Sequence, residues 1–168
     1  MNRNAHLYEA APGLLTDRVI LVTGAGDGIG RAAARAFAAH GATVVLAGRT
    51  LAKLERVYDD IEAAGGPQPA LVPVDLAQAG PADYAQLADT IENEFGHLDG
   101  VLHNAALLGD ITPLDMQDPD TWDRVMKVNL RAPFLLTQAL LPLLRRSPDA
   151  SIVFTTSSVG RRGRACWG

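Results

Sequence analysis

The sequence predicts an α/β fold built on a doubly wound parallel sheet. Five short apolar runs alternate with longer runs of helical periodicity, and such alternation is typical of parallel strands joined by right-handed crossovers. The predicted strands are apolar at consecutive positions, as expected for strands that are buried on both faces. The first strand passes through a cluster of glycines into the first helix, which places a tight turn at one edge of the sheet.

The boundaries of each element can be read along the chain. Strands are predicted at residues 19–23, 43–47, 70–74, 98–103 and 151–155, in the spatial order 3-2-1-4-5. Helices are predicted at residues 28–40, 51–64, 81–95 and 120–144. Glycines follow the first three helices, and prolines open the last two. Because doubly wound sheets bind ligands beyond the carboxyl ends of their strands, we expect the functional residues at that edge.

The composition is that of an ordinary globular domain and argues against several functional classes. Of the 168 residues 48% are hydrophobic, and the net charge of −4 with a pI near 5.5 argues against a nucleic-acid-binding surface. The first residues lack an apolar signal core, and no uncharged apolar stretch reaches the roughly 18 residues of a membrane span. We therefore expect no membrane contact and a cytoplasmic location. A single cysteine, Cys166, excludes an internal disulfide, and no metal site is expected.

The most informative motif is the turn between the first strand and the first helix. It reads Thr23-Gly24-Ala25-Gly26-Asp27-Gly28-Ile29-Gly30. Glycines permit close approach of the backbone to a pyrophosphate, and the helix N-terminus offers free N–H groups and the positive end of its dipole. A glycine turn alone would be equally consistent with a structural role, but the flanking strand and helix favour phosphate binding. We expect an irregular lead-in at residues 1–16 and a single dinucleotide-binding domain at residues 17–168.

The end of the second predicted strand indicates which dinucleotide would bind. An acidic residue there would bond the 2′-hydroxyl of NAD, whereas an arginine accommodates the 2′-phosphate of NADP. The chain reads Ala47-Gly48-Arg49, with no acid. Arg49 therefore predicts NADP, with NAD less favoured, and a solvated surface arginine is the alternative interpretation.

Five motifs together resemble the short-chain dehydrogenase/reductase family, over the chain from Leu15 to Gly168. They are Thr23-Gly24-x3-Gly28-Ile29-Gly30, Val74-Asp75-Leu76, His103-Asn104-Ala105-Ala106, Val128-Asn129-Leu130 and Thr156-Ser157-Ser158-Val159-Gly160. Their order and spacing argue strongly against a chance match. The resemblance implies a Rossmann-type sheet and hydride transfer between a nicotinamide cofactor and a small-molecule carbonyl or alcohol.

Nine residues are candidates for cofactor binding, namely Gly24, Asp27, Gly28, Ile29, Gly30, Arg49, Asp75, Leu76 and Asn104. The resemblance implies that Gly24, Gly28 and Gly30 wrap the pyrophosphate, that Ile29 packs beside it and that Asn104 holds loops near the ribose. Asp75 would take the adenine amino group with help from the Leu76 backbone, although a helix N-cap would also explain this acid. Asp27 counts against NADP, because NADP-preferring members of the family often carry a basic residue there.

Two residues are candidates for catalysis. The resemblance implies that the Ser157 hydroxyl polarises the substrate carbonyl and that the backbone carbonyl of Asn129 binds a water of a proton relay. Pro133 lies four residues after Asn129 and has no N–H to occupy that carbonyl, although a plain helix kink is the alternative. His103 is interpreted as a partly buried strand residue and not as a base.

The family's acid/base motif Tyr-x3-Lys is expected thirteen residues after Ser157, two residues beyond Gly168. Tyr8, Tyr58 and Tyr84 all precede Ser157, and none has a lysine four residues later. We therefore expect the domain to be incomplete at its C-terminus and the 168-residue chain to be inactive. The exposed sheet edge would favour a homo-oligomer through the leucine-rich helix at residues 120–144.

Two alternatives remain at this point. One is a non-catalytic dinucleotide-binding module, because half of the proton-transfer groups are missing. The other is a nucleotide-sugar or redox-sensing Rossmann protein outside the family, against which the Asn129 and Ser157 motifs count.

Overall fold

The computed structural model describes residues 9–167, which form a five-stranded parallel sheet. The strands are β1 (Val19–Thr23), β2 (Thr43–Gly48), β3 (Ala70–Pro73), β4 (Gly100–His103) and β5 (Ser151–Phe154). Their spatial order is β3-β2-β1-β4-β5, which confirms the predicted order. The central strand β1 places Leu21 opposite Val45 of β2 on one side and opposite Val101 of β4 on the other.

Helices cover both faces of the sheet. They are α1 (Gly28–Ala39), α2 (Leu51–Ala63), α3 (Pro81–Phe95), α4 (Pro119–Met126) and α5 (Ala132–Leu144). Successive residues of β1 point to opposite faces, so that Ile20 and Val22 pack in the core formed with α1 and α2, while Val19 and Leu21 pack in the core formed with α3 and α5. The predicted doubly wound α/β architecture is confirmed.

The long helix predicted at residues 120–144 is not continuous. Between α4 and α5 the chain forms one π-helical turn, Lys127–Arg131, in which the N–H of Ala132 donates to the carbonyl of Lys127, five residues earlier. Pro133 explains the interruption, because it has no N–H to donate to the carbonyl of Asn129 and its ring disfavours regular α-helical packing at that turn. The prediction missed the π turn because apolar periodicity alone does not distinguish it from an α-helix.

The predicted contact face of this helix comprised Leu135, Leu136, Leu140 and Leu141, and the prediction is wrong for Leu136 and Leu140, while Leu135 and Leu141 are half-buried. Leu136 and Leu140 are 1% and 0% exposed and belong to the core beneath the sheet. The large exposed apolar side chains of the segment are instead Trp122, Leu130 and Phe134, which are 54%, 61% and 64% exposed. Helical phase decides the difference, because residues 136 and 140 share the face that packs on the sheet.

Asp99 lies at the amino ends of the strands, opposite the glycine turn, and is 7% exposed. Its carboxylate accepts hydrogen bonds from Arg18 Nη1 (3.0 Å), the Val19 N–H (2.9 Å) and Ser147 Oγ (2.6 Å). Burial raises the pKa of Asp99, but the hydrogen bonds from Ser147, Val19 and Arg18 outweigh it and leave the pKa below its ordinary value. This carboxylate ties the loop after α5 to the starts of β1 and β4, far from the candidate site.

Residues 9–17 form turns that lead into β1, and the remainder of the predicted lead-in, residues 1–8, lies outside the described residues. Within residues 9–167 no helix combines the length and the apolar character that crossing a bilayer requires.

Candidate functional site

The glycine turn between β1 and α1 brings backbone groups into unusually close contact. Gly24 and Gly28 adopt positive φ angles of 67° and 50°, which favour glycine. A Cβ on Gly30 would collide with the carbonyl oxygen of Gly24 and would lie 2.6 Å from Nδ2 of Asn104. The Ala25 N–H donates to the carbonyl of Ala47 at 3.1 Å and fastens the turn to the end of β2. Side chains at Gly24 and Gly30 would therefore collide with the turn itself or with the Asn104 loop, and we call this tightly packed turn the cradle.

Asn104 is locked against this turn by Thr23, the last residue of β1. The Thr23 hydroxyl, on a side chain that is 2% exposed, accepts the N–H groups of Asn104 (3.0 Å) and Ala105 (3.1 Å). Asn104 Nδ2 donates to the Thr23 carbonyl at 3.2 Å. The sequence motif contained Thr23, but its role was missed. A hydroxyl residue closing an otherwise apolar strand was the available signal.

Asp27 lies inside the turn as the N-cap of α1. Its Oδ1 accepts the Gly28 N–H at 2.8 Å, and its Oδ2 accepts a hydrogen bond from Lys53 Nζ at 2.7 Å. The hydrogen bond from Lys53, followed by that from the Gly28 N–H and by the charge of Lys53, holds the pKa of Asp27 below its usual range. Asp27 is therefore ionised at neutral pH. Sequence reasoning missed Lys53, which lies in the first turn of α2.

Arg49 and Asp75 lie on two neighbouring loops at the same edge of the sheet. Arg49 directly follows β2, is exposed, and makes no ion pair among residues 9–167. Asp75 follows β3, and its Oδ1 accepts the N–H of Ala77 at 3.0 Å. The helix N-cap interpretation of Asp75 is wrong, because the N-cap of α3 is Gly80 and Asp75 instead closes a turn onto Ala77. The adenine interpretation of Asp75 stays a prediction. The half-buried Leu76 packs against the core.

His103 ends β4 and is 5% exposed. Its Nε2 is hydrogen-bonded to Thr137 Oγ1 of α5 at 2.9 Å, and its ring stacks on Phe154 of β5 with centroids 4.7 Å apart. Burial lowers the pKa of His103 to about 4, so the ring is uncharged at neutral pH. His103 connects β4, β5 and α5, and it is more deeply buried than the partly buried residue predicted from the sequence.

Asn129 lies in the π-helical turn and holds the segment that follows Asn104. Its Oδ1 accepts the N–H of Leu107 at 2.8 Å, and its Nδ2 donates to the carbonyl of Leu107 at 2.7 Å. This two-way clamp is a role of the side chain that the sequence did not reveal. The relay interpretation concerns the backbone carbonyl and stays a prediction.

Ser157 lies on the loop after β5, where it caps a short 3₁₀ turn, Ser158–Gly160, and its hydroxyl is exposed. The loop is joined to the glycine turn through Asn104, because Thr155 Oγ1 donates to Asn104 Oδ1 at 3.4 Å. The structure thus brings Gly24, Gly30 and Asn104 into direct contact. Arg49, Asp75, Asn129 and Ser157 lie on separate segments with no hydrogen bond between one another.

The glycine turn packs against Asn104, which follows β4, and the five motifs occur in the order seen in the sequence. A comparison with known protein families agrees with this arrangement. The profile of the short chain dehydrogenase family matches residues 18–168. The chain belongs to the short-chain dehydrogenase family.

Relatives in this family agree in both sequence and structure. The uncharacterized oxidoreductase YciK of Escherichia coli K12 is 53% identical over 161 residues, which are 96% of this chain and 64% of YciK. A short chain dehydrogenase structure from Pseudomonas syringae is 58% identical, with a TM-score of 0.94 over 96% of this chain and 66% of that one. A short chain dehydrogenase from Escherichia coli CFT073, complexed with NADPH, is 54% identical, with a TM-score of 0.92 over 95% of this chain and 66% of that one. This chain therefore spans slightly less than two thirds of these short-chain dehydrogenases.

Proposed function

We propose that this chain binds NADP(H) and forms the cofactor site of an oxidoreductase that acts on a small carbonyl or alcohol. The observation that carries the proposal is the turn between β1 and α1, where Gly24 and Gly30 pack too tightly on the turn and on Asn104 to carry a side chain, while Gly28, at a positive φ, has open space around it. The exposed Arg49 and the absence of an acid at the end of β2 favour the 2′-phosphate. The relative that is complexed with NADPH supports the same cofactor.

The residues of the cradle fit this cofactor. Gly24, Gly28 and Gly30 would let the turn and the N-terminus of α1 approach the pyrophosphate closely, beside the exposed Ile29. Asp75 and the backbone of Leu76 would bind adenine, and Arg49 would bind the 2′-phosphate. Asn104 would fix the loops near the ribose through its bonds to Thr23. The nicotinamide ring, when bound, supplies or accepts the hydride.

The substrate side of the site would use Ser157 and Asn129. The exposed Ser157 hydroxyl would donate a hydrogen bond to the substrate carbonyl and polarise it. Asn129 would place the Leu107 segment through its two hydrogen bonds, and its backbone carbonyl would hold a relay water. Neither group is an acid that could supply a proton near neutral pH.

A non-catalytic dinucleotide-binding module is the second candidate, because the tyrosines of residues 9–167 are not placed for acid/base chemistry at Ser157. Tyr84 is 0% exposed in the core, and the Tyr58 hydroxyl is bonded to Glu62 and Gln68 on the surface of α2. Within the described residues, therefore, no tyrosine lies beside Ser157. Turnover assays discriminate the two candidates.

The cofactor preference is tested with Arg49→Ala. We expect the wild type to bind NADPH more tightly than NADH, and the variant to lose roughly tenfold or more of that ratio, because a hydrogen-bonded charge pair to the phosphate disappears. Isothermal titration calorimetry with both cofactors measures the ratio. Arg56→Ala, which removes an exposed arginine within α2, is the matched control and should leave the ratio unchanged. Equal affinities in the wild type would contradict the assignment of NADP.

Self-association is also proposed, through a face different from the leucines first expected. Met126 at the end of α4, Leu130 in the π-helical turn and Phe134 in α5 line a shallow apolar groove. Exposed apolar patches of this kind favour association. Light scattering should show an oligomer that Leu130→Ser combined with Phe134→Ser shifts toward monomer. Leu51→Ser on α2, across the sheet, is the control. A stable monomer of the wild type at high concentration would refute the proposal.

A further inference from the structure

An acidic side chain inside an anion-binding turn needs an explanation. Asp27 lies between two glycines of the cradle, and its carboxylate is 75% exposed. Its two oxygens are nevertheless both engaged, one by the Gly28 N–H at the start of α1 and the other by the ammonium of Lys53. A helix N-terminus and a cation are the partners that a phosphate would seek. The Asp27 carboxylate thus uses groups that suit the cofactor's own anions.

Lys53 lies close to the glycine turn. It belongs to the first turn of α2, four residues after Arg49, and a Cβ on Gly26 would lie 2.9 Å from the Lys53 Cβ, so the lysine stem passes close to the turn. Its side chain is 50% exposed and ends in an ammonium on a flexible four-carbon stem. Lys53 and Arg49 therefore place two cations at the start of α2, beside the glycine turn.

A second ion pair between the same helices provides a contrast. Arg31 of α1 donates to Asp60 of α2 at 2.7 Å, and this pair is also partly exposed. It joins the helix bodies, whereas the Asp27–Lys53 pair includes a residue of the turn itself. Arg31 and Asp60 thus already hold α1 to α2. The Asp27–Lys53 pair is therefore available for a different role.

We propose that Lys53 is a specificity-determining residue for the 2′-phosphate of NADP(H), and that Asp27 is an internal counter-ion from which Lys53 is released when that phosphate binds. The inference rests on the proposed binding of NADP(H) and extends it to a residue outside the family motifs. It also accounts for the acid at a position where the sequence argued against NADP.

The exchange is physically reasonable because an exposed ion pair is weak and a phosphate is a stronger partner than a carboxylate. A phosphate monoester carries a charge of about −1.5 to −2 near pH 7 and three acceptor oxygens. NADH offers only a hydroxyl at the same position and cannot take Lys53 from Asp27. The pair therefore discriminates between the two cofactors, and it shields the positive start of α2 when no phosphate is bound.

Two substitutions separate the roles of the partners. Lys53→Gln should weaken NADPH binding by roughly 5- to 50-fold and leave NADH binding nearly unchanged, because one charged hydrogen bond to the phosphate is lost. Asp27→Asn should strengthen NADPH binding by roughly two- to tenfold, because Asn retains the N-cap of α1 while releasing Lys53. In the double variant the benefit of Asp27→Asn should disappear, because no lysine remains to be released.

The affinities are measured by isothermal titration calorimetry on the 168-residue chain, with NADPH, NADH, adenosine 2′,5′-bisphosphate and AMP as probes. The last two carry only the adenosine side and report the 2′-phosphate directly. Arg56→Gln and Asp60→Asn make the same charge changes on α2 away from the turn and serve as controls. Thermal unfolding of each variant establishes that it is folded.

The outcomes distinguish this inference from the proposed function. If the wild type prefers NADPH and Arg49→Ala removes that preference while Lys53→Gln does not change it, NADP binding stands and the role of Lys53 is refuted. If Arg56→Gln lowers NADPH affinity as much as Lys53→Gln, only general charge attraction operates and the inference is again refuted. If the wild type shows no preference for the probes with a 2′-phosphate, both proposals fail.

Discussion

Gly30→Ala is expected to abolish measurable binding of both NADPH and NADH. The added methyl would collide with the Gly24 carbonyl and would lie 2.6 Å from Asn104 Nδ2, which are groups of the cradle itself. Relief requires the turn and the Asn104 loop to move apart, and overpacking of this kind costs about 1–3 kcal/mol of stability. Calorimetric titration measures the binding, and urea unfolding measures the free energy of unfolding.

The control for this variant is Gly163→Ala on the loop after β5. A Cβ at Gly163 meets nothing within 4 Å, so neither stability nor cofactor affinity should change. Because Gly30→Ala acts on the cradle, it should affect both cofactors equally, unlike Arg49→Ala. Cofactor affinities of Gly30→Ala close to those of the wild type would refute the cradle as the pyrophosphate site.

The 168-residue chain is expected to bind NADPH without measurable turnover. A serine hydroxyl is far too weak an acid to supply a proton near neutral pH, so Ser157 can only polarise the carbonyl. His103 is buried and hydrogen-bonded to Thr137, and burial lowers its pKa to about 4. At neutral pH the ring is therefore uncharged and cannot serve as the general acid. Loss of a positioned general acid typically costs about 10²- to 10⁴-fold in rate.

The measurement is NADPH oxidation with a panel of ketones and aldehydes. The comparison is a polypeptide in which residues 1–168 are followed by the Tyr-x3-Lys segment of a longer family member. That polypeptide should turn over at least about 10²-fold faster, and its Tyr→Phe variant should return to the level of the 168-residue chain. Comparable rates for the two chains would show that another residue supplies the proton. Tight NADPH binding without turnover in the longer chain would favour the non-catalytic module.

Local contacts were only partly predictable from the sequence. The glycine turn, the strand order and the position of Arg49 after β2 followed from patterns that depend on neighbours in the chain. Lys53 and Thr23 did not, because their partners Asp27 and Asn104 lie 26 and 81 residues away. The contact face of the helix was misassigned for a related reason. The position of the sheet decides which side of the helix is buried, whereas the sequence of the helix shows only that the helix is apolar.

The sequence by itself determined the class of fold, the order of strands and the family, and it predicted the edge of the sheet at which a cofactor would bind. Alternating periodicity encodes the class of fold, the glycine spacing marks the edge of the sheet, and the resemblance of five motifs carries the family, and each survives small shifts in element boundaries. The tertiary structure alone decided which side chains meet at that edge. It paired Asp27 with Lys53, clamped Leu107 with Asn129 and buried His103 between β5 and α5. A hydrogen bond forms only when donor and acceptor are placed to within a few tenths of an ångström. These donors and acceptors lie on segments far apart in the chain, and only folding brings those segments together.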